Sequence, residues 1–296
     1  MSTETLHDLF SFRLPDYHLV SAEPLSGGLS NRCWKVVLTH KATGERHTLV
    51  WRPHSFSSQA FGVSRQHEFQ VLQSTLKTSC FTLAPKPFAL FNEGLLVDWV
   101  VGQTASIEFS LTTLMSLQVA IHQQPLPSWR LNPQHRGAHY WRYMGDATGD
   151  PQLERIHAFF QAQPVKKWFE ETCCHHDLGW YNIIVAPDDR HTVIDWEYAA
   201  AGDPSLDLAL TIAANQLEPS EAVDIYCQQV GVHDAVAQSR WHSAVEYWHP
   251  WCDYLAMLWF YVGANQFACG EGLDEDYLRE AESLKALLWN NLQFSD

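Results

Sequence analysis

Two aspartates and an asparagine bracket a predicted β-hairpin, and they constrain the fold of this chain more than any other feature. Asp177 and Asn182 precede a short apolar strand at residues 183–185, after which a turn rich in proline and aspartate returns the chain. A second strand, at residues 191–194, ends at Asp195. Because the strands of a hairpin lie side by side, we expect the three polar side chains to converge on one point.

Oxygen-bearing side chains that converge in this way suit a magnesium ion. Mg²⁺ binds one or two carboxylate or carbonyl oxygens from protein, and phosphate oxygens and water complete its octahedral shell. Asn182 and Asp195 fit the protein's share of such a site, which leaves Asp177 free to accept a proton. On spacing alone, an ordinary hairpin turn explains the same residues equally well.

The residues around the hairpin favour the chemical interpretation. The segment His-His-Asp-Leu-Gly-Trp-Tyr-Asn covers residues 175–182, and Ile-Asp-Trp-Glu-Tyr-Ala follows, with its Asp195 eighteen residues after Asp177. These two motifs resemble the paired motifs of the choline kinase, thiamine kinase and aminoglycoside phosphotransferase family. The resemblance implies a kinase that uses ATP and Mg²⁺.

Roles for individual residues follow from this resemblance. Asp177 would be the catalytic base, Asn182 and Asp195 would hold Mg²⁺ across the nucleotide phosphates, and His175 would orient the loop through hydrogen bonds. Asp207 resembles the acidic residue that braces the catalytic loop in the family. A carboxylate that stabilises a helix start is an equally good interpretation of Asp207.

A glycine turn near the N-terminus separates two predicted strands. Adjacent glycines let backbone N–H groups approach a phosphate closely. The turn resembles the family's nucleotide loop, although alone it is more typical of an ordinary hairpin. The ATP contacts implied there are Ser26, Gly27 and Gly28.

A third predicted strand ends at a basic residue, Arg52. In kinase-like folds a basic residue on this strand grips the α- and β-phosphates and is held by a glutamate from the next helix. The resemblance therefore pairs Arg52 with Glu68, which lies in a predicted amphipathic helix. A surface arginine and a solvated helix glutamate are the alternatives.

The apolar run at residues 94–102 is typical of a buried strand and ends in glycine. It resembles the family's hinge strand, whose backbone would hold adenine. An aspartate within a core strand is unusual and favours the hinge, although a strand-edge aspartate is an alternative. The residues implied in adenine binding are Val97, Asp98, Trp99 and Val100.

After residue 102 the pattern changes from strands to helices. We predict an α+β, protein-kinase-like fold of two lobes: a small antiparallel-sheet lobe at residues 1–102 and a larger, mainly helical lobe at residues 103–296. Residues 127–150 are predicted to be a loop or insertion. Helices are predicted near residues 111–122, 152–160, 165–172, 204–212, 241–262 and 275–291.

Tryptophans and tyrosines repeat along the helix predicted at residues 241–262 and lie near carboxylates. Aromatic helix faces usually belong to the core, but such rings can also bind a quaternary ammonium or thiazolium through cation–π attraction. The candidate substrate residues are Glu197, Trp248, Trp251 and Asp253.

Charge and cysteine content restrict the partners. The net charge of −15, from 19 basic and 34 acidic residues, argues against a nucleic-acid surface and suits a cationic substrate. The seven cysteines are scattered along the chain, and no two of them form a Cys-x-x-Cys motif. We interpret them as reduced thiols. Without a signal-peptide pattern or a long apolar run, the expectation is a cytoplasmic protein without membrane contact.

The sequence thus predicts an ATP-dependent phosphotransferase that acts on the hydroxyl of a small cationic alcohol. Thiamine and choline are the alcohols favoured, because the motifs look most like those of bacterial thiamine kinases. An aminoglycoside-type phosphotransferase and a non-catalytic nucleotide-binding relative are the alternatives. The motifs of P-loop enzymes, zincins and serine hydrolases are absent from the sequence.

Overall fold

The computed structural model describes residues 2–25, 33–78, 83–268 and 274–292. The strands are β1 Tyr17–Pro24, β2 Trp34–His40, β3 Arg46–Pro53, β4 Pro87–Phe91, β5 Gly94–Asp98, β6 Gln103–Thr104, β7 Thr172–Cys174, β8 Ile183–Val185, β9 His191–Val193 and β10 Ala200–Gly202. The α-helices are α1 Thr3–Arg13, α2 Phe56–Ala60, α3 Arg65–Thr78, α4 Leu111–His122, α5 Pro133–Trp141, α6 Pro151–Ala162, α7 Pro204–Ala214, α8 Pro219–Gln229, α9 Ala235–Gln266 and α10 Glu275–Asn291.

An antiparallel five-stranded sheet, ordered β1-β2-β3-β5-β4, dominates the first part of the chain. Helix α1 covers one face, where Leu6 and Phe10 are buried and the Phe10 ring packs edge-on against Trp51 at 5.4 Å between centroids. Side chains alternate across a strand, so Val50 faces the opposite side and packs on the main core. This register places Arg52 near the end of β3, where the sheet meets the helical part.

The long helix α9 organises the second part of the chain. Helices α5, α7 and α10 pack against it. Its N-terminus is capped by Asp234, whose side chain accepts a hydrogen bond from the Ala237 N–H. Pro250 lies inside the helix, where it removes one backbone donor without ending the helix.

One hydrophobic cluster joins the two parts. It contains Phe61, Leu72 and Leu95 from the sheet part together with Met115 and Trp196 from the helical part. A second, smaller cluster fills the space between α1 and the sheet. The hairpin of β8 and β9 therefore lies beside a core to which both parts contribute.

Two predicted segments differ in the structure. Residues 127–150, predicted as a loop, contain α5 and a 3₁₀ turn at Gly145–Gly149. The helix predicted at residues 165–172 is absent, and residues 165–171 form no regular secondary structure before β7 begins at Thr172. Of the helices in the described part of the chain, none combines the length and hydrophobicity needed to cross a bilayer.

Candidate active site

The hairpin formed by β8 and β9 brings the predicted site residues together. Its strands pair in antiparallel register, and the Ile194 N–H donates to the Asn182 carbonyl at 2.8 Å at the open end. Asp195 follows in the left-handed conformation, with φ 63° and ψ 58°. Aspartate tolerates this conformation better than most residues because its short side chain can bond locally.

Asp177 is held by two side chains from the turn that follows it. The Asn182 amide donates through Nδ2 to Oδ2 of Asp177 at 3.0 Å, and to its backbone carbonyl at 2.9 Å. The Tyr181 hydroxyl donates to Oδ1 of Asp177 at 2.9 Å. Because the amide of Asn182 points its nitrogen at Asp177, its Oδ1 is the atom available to a metal ion.

The environment of Asp177 suits a general base. Burial and, after it, the nearby Asp195 carboxylate raise the pKa of Asp177 to about 8, although the hydrogen bonds from Tyr181 and Asn182 act to lower it. A base is most effective when its pKa lies close to the working pH. Asp177 therefore has the geometry of a general base and a pKa suited to a mildly alkaline working pH.

Arg52 lies at the centre of a buried charge network. Its Nε is 2.8 Å from Oε1 of Glu68, so the predicted pair is present, and its other donors contact Asp195 and Glu197. Burial by itself would lower the pKa of Arg52, but the carboxylates around it, Asp195 foremost, raise it well above its usual value. The guanidinium is therefore permanently charged and shared among three carboxylates.

Glu197 belongs to the same network, which corrects its assignment as a substrate residue. Its Oε2 accepts hydrogen bonds from Arg52 and from Arg65, each at 2.9 Å, and its side chain is only 2% exposed. Arg65 also pairs with Glu68 at 2.7 Å. A carboxylate buried between two arginines is not open to an incoming cation, so Glu197 fixes Arg52 rather than substrate.

Asp207 braces the loop that carries Asp177. Its two oxygens accept the backbone N–H groups of His175 at 3.1 Å and His176 at 2.6 Å, and the side chains of Gln118 and His122 donate to it as well. Although burial opposes ionisation, the His122 hydrogen bond and the neighbouring histidines hold the pKa of Asp207 well below its usual range. Of the two interpretations of Asp207, the structure supports the loop brace.

His175 ties the loop to the hairpin. Its Nε2 lies 3.1 Å from the Ile194 carbonyl, one residue before Asp195, and its ring packs edge-on against Trp196. The ring is fully buried, and burial lowers the pKa of His175, so the imidazole is neutral. This position matches an orienting role and leaves no path to a substrate.

The predicted hinge residues span the end of β5 and the two residues after it. Val97 is paired with β3 and β4, and the N–H groups of Asp98 and Trp99 donate to the carbonyls of Lys86 and Thr48. In the described residues, the Val100 N–H donates to no backbone carbonyl. Backbone at Val100 is therefore available to a ligand, whereas the Asp98 and Trp99 N–H groups are not.

Two of the predicted substrate residues lie in the core. Trp248 is buried and donates through Nε1 to the Ser205 hydroxyl at 2.9 Å. Trp251 is buried against Phe160, with ring centroids 4.9 Å apart. Both rings are closed off by neighbouring side chains, so the prediction that they face a ligand gives way to a packing role. Asp253 is half-buried beside His249 on the same helix, with 3.6 Å between their closest charged atoms.

The glycine turn with Ser26, Gly27 and Gly28 lies outside the described residues.

Three contributors to the site were not predicted: Arg65, Tyr181 and Gln118. Arg65 carried a detectable signal, since it lies three residues before Glu68 on a helix, the spacing of an ion pair. Tyr181 and Gln118 carried none, because the partner of Tyr181 is set by the loop conformation and the partners of Gln118, Asp207 and Thr211, by the packing of α4 against α7.

Two other features were considered as alternative places of reaction. His122, Cys174 and Asp207 lie close enough to hold a metal ion, but Asp207 already accepts four hydrogen bonds and His122 contacts Tyr226. A cavity of about 670 Å³ lies between α4, α8 and the start of α9 and contains none of the predicted site residues. Neither feature competes with the hairpin as the place of reaction.

Comparison with known proteins supports one family over most of the chain. A model of the phosphotransferase enzyme family matches residues 21–242. The thiamine kinase of Escherichia coli (strain SMS-3-5 / SECEC) is 25% identical over 282 residues, covering 94% of this chain and 93% of the relative.

Solved structures confirm the kinase-like fold. The choline kinase LicA from Streptococcus pneumoniae aligns with a TM-score of 0.70 at 15% identity, covering 97% of this chain and 98% of that one. The same protein has been solved in complex with AMP, with a TM-score of 0.69, 16% identity and coverage of 98% and 99%. The gentamicin complex of APH(2'')-IIa aligns at 0.67 with 11% identity, covering 100% and 97%.

Proposed function

Because the chain belongs to the phosphotransferase enzyme family, we propose that it transfers the γ-phosphate of ATP to the hydroxyl of a small cationic alcohol, thiamine or choline. The observation that carries the proposal is the convergence of Asp177, Asn182 and Asp195 at the open end of one hairpin. Asn182 lies 3.0 Å from Asp177, and its backbone is bonded to the residue before Asp195.

Asp177 takes the proton of the acceptor in this proposal. The acceptor hydroxyl donates a hydrogen bond to the Asp177 carboxylate, and the hydroxyl oxygen attacks the γ-phosphorus. The bond between the γ-phosphorus and the oxygen that bridges it to the β-phosphate breaks, and ADP leaves. Phosphoryl transfer depends mainly on positioning and charge neutralisation, so the carboxylate serves chiefly to orient the hydroxyl and receive its proton.

Asn182 and Asp195 offer the hard oxygen ligands that magnesium prefers. The free atoms are Oδ1 of Asn182 and the oxygen of Asp195 that does not contact Arg52. A magnesium ion bound there would neutralise charge on the β- and γ-phosphates. When Arg52 releases Asp195, it remains anchored by Glu68 and Glu197. Arg52 and Asp195 then both become available to the nucleotide.

The nucleotide base is assigned to the segment that follows β5. The Val100 N–H is the backbone donor available there, and it lies beside the start of β3, because β3 and β5 run antiparallel and the Trp99 N–H donates to the Thr48 carbonyl. The AMP complex of the similar choline kinase supports a nucleotide site in this fold.

The acceptor is assigned from charge and from similarity. A net charge of −15 attracts cations and repels anionic alcohols. The thiamine kinase similarity extends over 94% of the chain, which favours thiamine as the first acceptor to test. The gentamicin complex of a structural neighbour makes an aminoglycoside the second class to test.

The test measures ADP release from Mg·ATP with thiamine, choline, ethanolamine or gentamicin offered in turn. We expect one of the first three to stimulate release and the Asp177→Asn variant to lower that turnover by at least ~10²-fold with ATP binding retained. Asp188→Asn is the matched control, because Asp188 lies exposed in the turn of the same hairpin and, among the described residues, forms its ion pair with the exposed Arg190.

The outcomes separate the alternatives. Stimulation by gentamicin alone would move the chain to the aminoglycoside class. Nucleotide binding without turnover of any acceptor would indicate a non-catalytic relative. Equal turnover in the Asp177→Asn variant and the unmodified protein would remove Asp177 from the reaction.

A further inference from the structure

The cavity between α4, α8 and the start of α9 has the size and lining of a small-molecule site. Its volume of about 670 Å³ lies within the ~300–1,000 Å³ typical of such sites, whose walls are mainly apolar with a few polar groups. Val119 and Trp241 are among its apolar residues. Val230 and Val236, which also line it, are 36% and 78% exposed. The cavity therefore offers an apolar surface that a ligand can reach from solvent.

Arg240 gives this cavity a positive charge. Its guanidinium lies 4.8 Å from the centre of the Phe169 ring, and that ring stacks on Trp241 at 3.9 Å between centroids. One of its N–H groups donates to the Trp168 carbonyl, and among the described residues Arg240 forms no ion pair. Arginine carries five N–H donors in a planar fork that fits a carboxylate. Arg240 can therefore bind an anion beside an aromatic surface.

A carboxylate at the same cavity is engaged elsewhere. The Asp234 side chain accepts the Ala237 N–H at 2.9 Å and so caps α9. Asp234 precedes Arg240 by six residues, whereas neighbours on a helix surface are three or four residues apart. The charge that a ligand meets at Arg240 is therefore positive.

The cavity wall is hydrogen-bonded to the loop that Asp207 braces. His122 and Tyr226 both line the cavity, and Nδ1 of His122 lies 2.7 Å from the Tyr226 hydroxyl. Nε2 of His122 lies 2.9 Å from Oδ2 of Asp207. Asp207 in turn accepts the backbone N–H groups of His175 and His176. A ligand in the cavity would thus lie against a residue that holds the brace.

We propose that this cavity is a regulatory site for a small aromatic carboxylate, which stabilises the braced loop through His122 and Asp207. The carboxylate binds Arg240, and the aromatic ring packs on the apolar wall. A ligand stabilises the arrangement to which it binds, so it favours the bonded form of His122 and Asp207 and lowers the cost of ordering the loop. The regulatory part rests on the proposed function, whereas binding and the effect on the loop do not.

The first test measures cinnamate binding by NMR of protein with labelled valine methyl groups. The signals expected to shift and saturate are those of Val119, Val230, Val232 and Val236. Cinnamyl alcohol and cinnamylamine, which are neutral and cationic, should bind more weakly. Arg240→Gln should weaken cinnamate binding about tenfold, because a bond between charged groups is lost. Arg279→Gln is the matched control, because Arg279 is exposed on α10 and does not line the cavity.

Two results of this test would contradict the site. The absence of saturation at these valines below about 1 mM cinnamate would overturn the proposal. Equal affinity for cinnamate and cinnamyl alcohol, or equal cinnamate affinity in Arg240→Gln and the unmodified protein, would overturn the ligand class.

The second test measures hydrogen exchange at the N–H groups of His175 and His176, with and without cinnamate. The reference is the Asp98 N–H, which is bonded to the Lys86 carbonyl in the sheet part. We expect cinnamate to slow exchange more at the two histidines than at the reference. Equal slowing at all three would overturn the link to the loop.

Tyr226→Phe tests the route of this effect. The variant keeps the ring and removes the hydroxyl that is bonded to His122, so cinnamate should still bind and the extra slowing at His175 and His176 should be smaller. Undiminished extra slowing would overturn the route through His122.

The third test measures kcat/KM for the phosphorylated acceptor as cinnamate is added. Ordering of the loop should raise kcat/KM about fivefold or more, and Arg240→Gln should need about ten times more cinnamate for the same effect. An acceptor phosphorylated at an unchanged kcat/KM in saturating cinnamate would overturn the regulatory part. If no acceptor is phosphorylated, the proposed function fails, and the binding and exchange results still decide whether the site exists.

Discussion

The environment of Asp177 in the folded protein disfavours the ionised form of its carboxyl group. Its folded pKa, about 8, lies above the value of about 4 for an aspartate in an unfolded chain. Between these two values the unfolded chain has released a proton that the folded chain retains. The contribution of Asp177 to the free energy of unfolding therefore falls as pH rises through this window and is constant above it.

Asp177→Asn should remove this pH dependence. We expect the variant to gain free energy of unfolding relative to the unmodified protein as the pH is raised from 5 to 9, because the amide cannot ionise. Urea titrations of both proteins at several pH values measure the difference, in which the titration of all other groups cancels. A difference that stays flat over this range would contradict the assigned environment of Asp177.

Asp207 provides a control of opposite sign. Its folded pKa is depressed, so its contribution to stability is present above pH 4 and is lost as the pH falls towards the folded value. Asp207→Asn should therefore lower the free energy of unfolding at pH 7, by ~3–5 kcal/mol for a broken buried network, and the deficit should shrink in acid.

Among individual site residues, the sequence predicted those whose partners are close along the chain or belong to a specific motif. Asp177, Asn182 and Asp195 are adjacent because a hairpin has a fixed geometry. Trp248 was misassigned because a helical face of aromatic residues looks the same whether it borders the core or a cleft. Only the packing of the neighbouring helices distinguishes the two cases.

Helices α5 and α9 meet where Gly137 faces a buried tyrosine. A Cβ at Gly137 would lie 2.5 Å from the Tyr254 hydroxyl and 2.7 Å from Cε1 of the same ring. Tyr254 is fully buried and its hydroxyl is bonded to His157 at 2.8 Å and Gln161 at 3.2 Å, so the ring has little room to move. Close packing of these two helices therefore depends on glycine at this position.

Gly137→Ala should accordingly destabilise the protein although alanine is the better helix former. Overpacking costs ~1–3 kcal/mol, which outweighs a helix-propensity gain of at most ~1 kcal/mol. Chemical denaturation measures the loss. Gly149→Ala is the control, because no atom of the described residues lies within 4 Å of a Cβ at that position. A Gly137→Ala protein as stable as the control would show that α5 can shift away from α9.

The helices that sequence patterns predicted are those with local start signals and an apolar stripe. The closing helix was predicted with the bounds of α10, and α7 begins as predicted at the Asp203 cap, whose side chain accepts the Ser205 N–H. Helix α5 was missed although Asn132 and Pro133 mark its start, because Gly137 interrupts its apolar pattern.

The irregular segment before β7 shows why its prediction as a helix could not be avoided. Residues 165–172 have a helical pattern, but the Asp203 side chain accepts the N–H groups of Trp168 and Phe169 at 2.8 and 3.0 Å. Those donors are thereby withdrawn from any helix. Asp203 lies more than thirty residues later in the chain, so this competition is set by tertiary structure.

At the scale of the whole molecule, the sheet part and the helical part share a core and a set of hydrogen bonds. The Phe61 ring is buried against Trp259 and Phe267, at centroid distances of 5.1 and 5.8 Å. Arg136 donates to the Phe61 carbonyl at 2.8 Å, and His139 lies 3.0 Å from the Ala60 carbonyl. We therefore propose that residues 1–102 and 103–296 are two lobes of one cooperative unit.

The two lobes should unfold together. We expect a single calorimetric transition whose van't Hoff enthalpy equals the calorimetric enthalpy. Phe61→Ala, which removes a buried ring between the lobes, should lower the free energy of unfolding by ~3–5 kcal/mol and speed hydrogen exchange in β3 and in α9 alike. The matched control is Phe12→Ala, since Phe12 is 77% exposed and should leave both regions unchanged. Because the lobes share a core, packing lost in one lobe should destabilise both. Two resolved calorimetric transitions, or hydrogen exchange that speeds up in Phe61→Ala only in the sheet strands, would show that the lobes are independent.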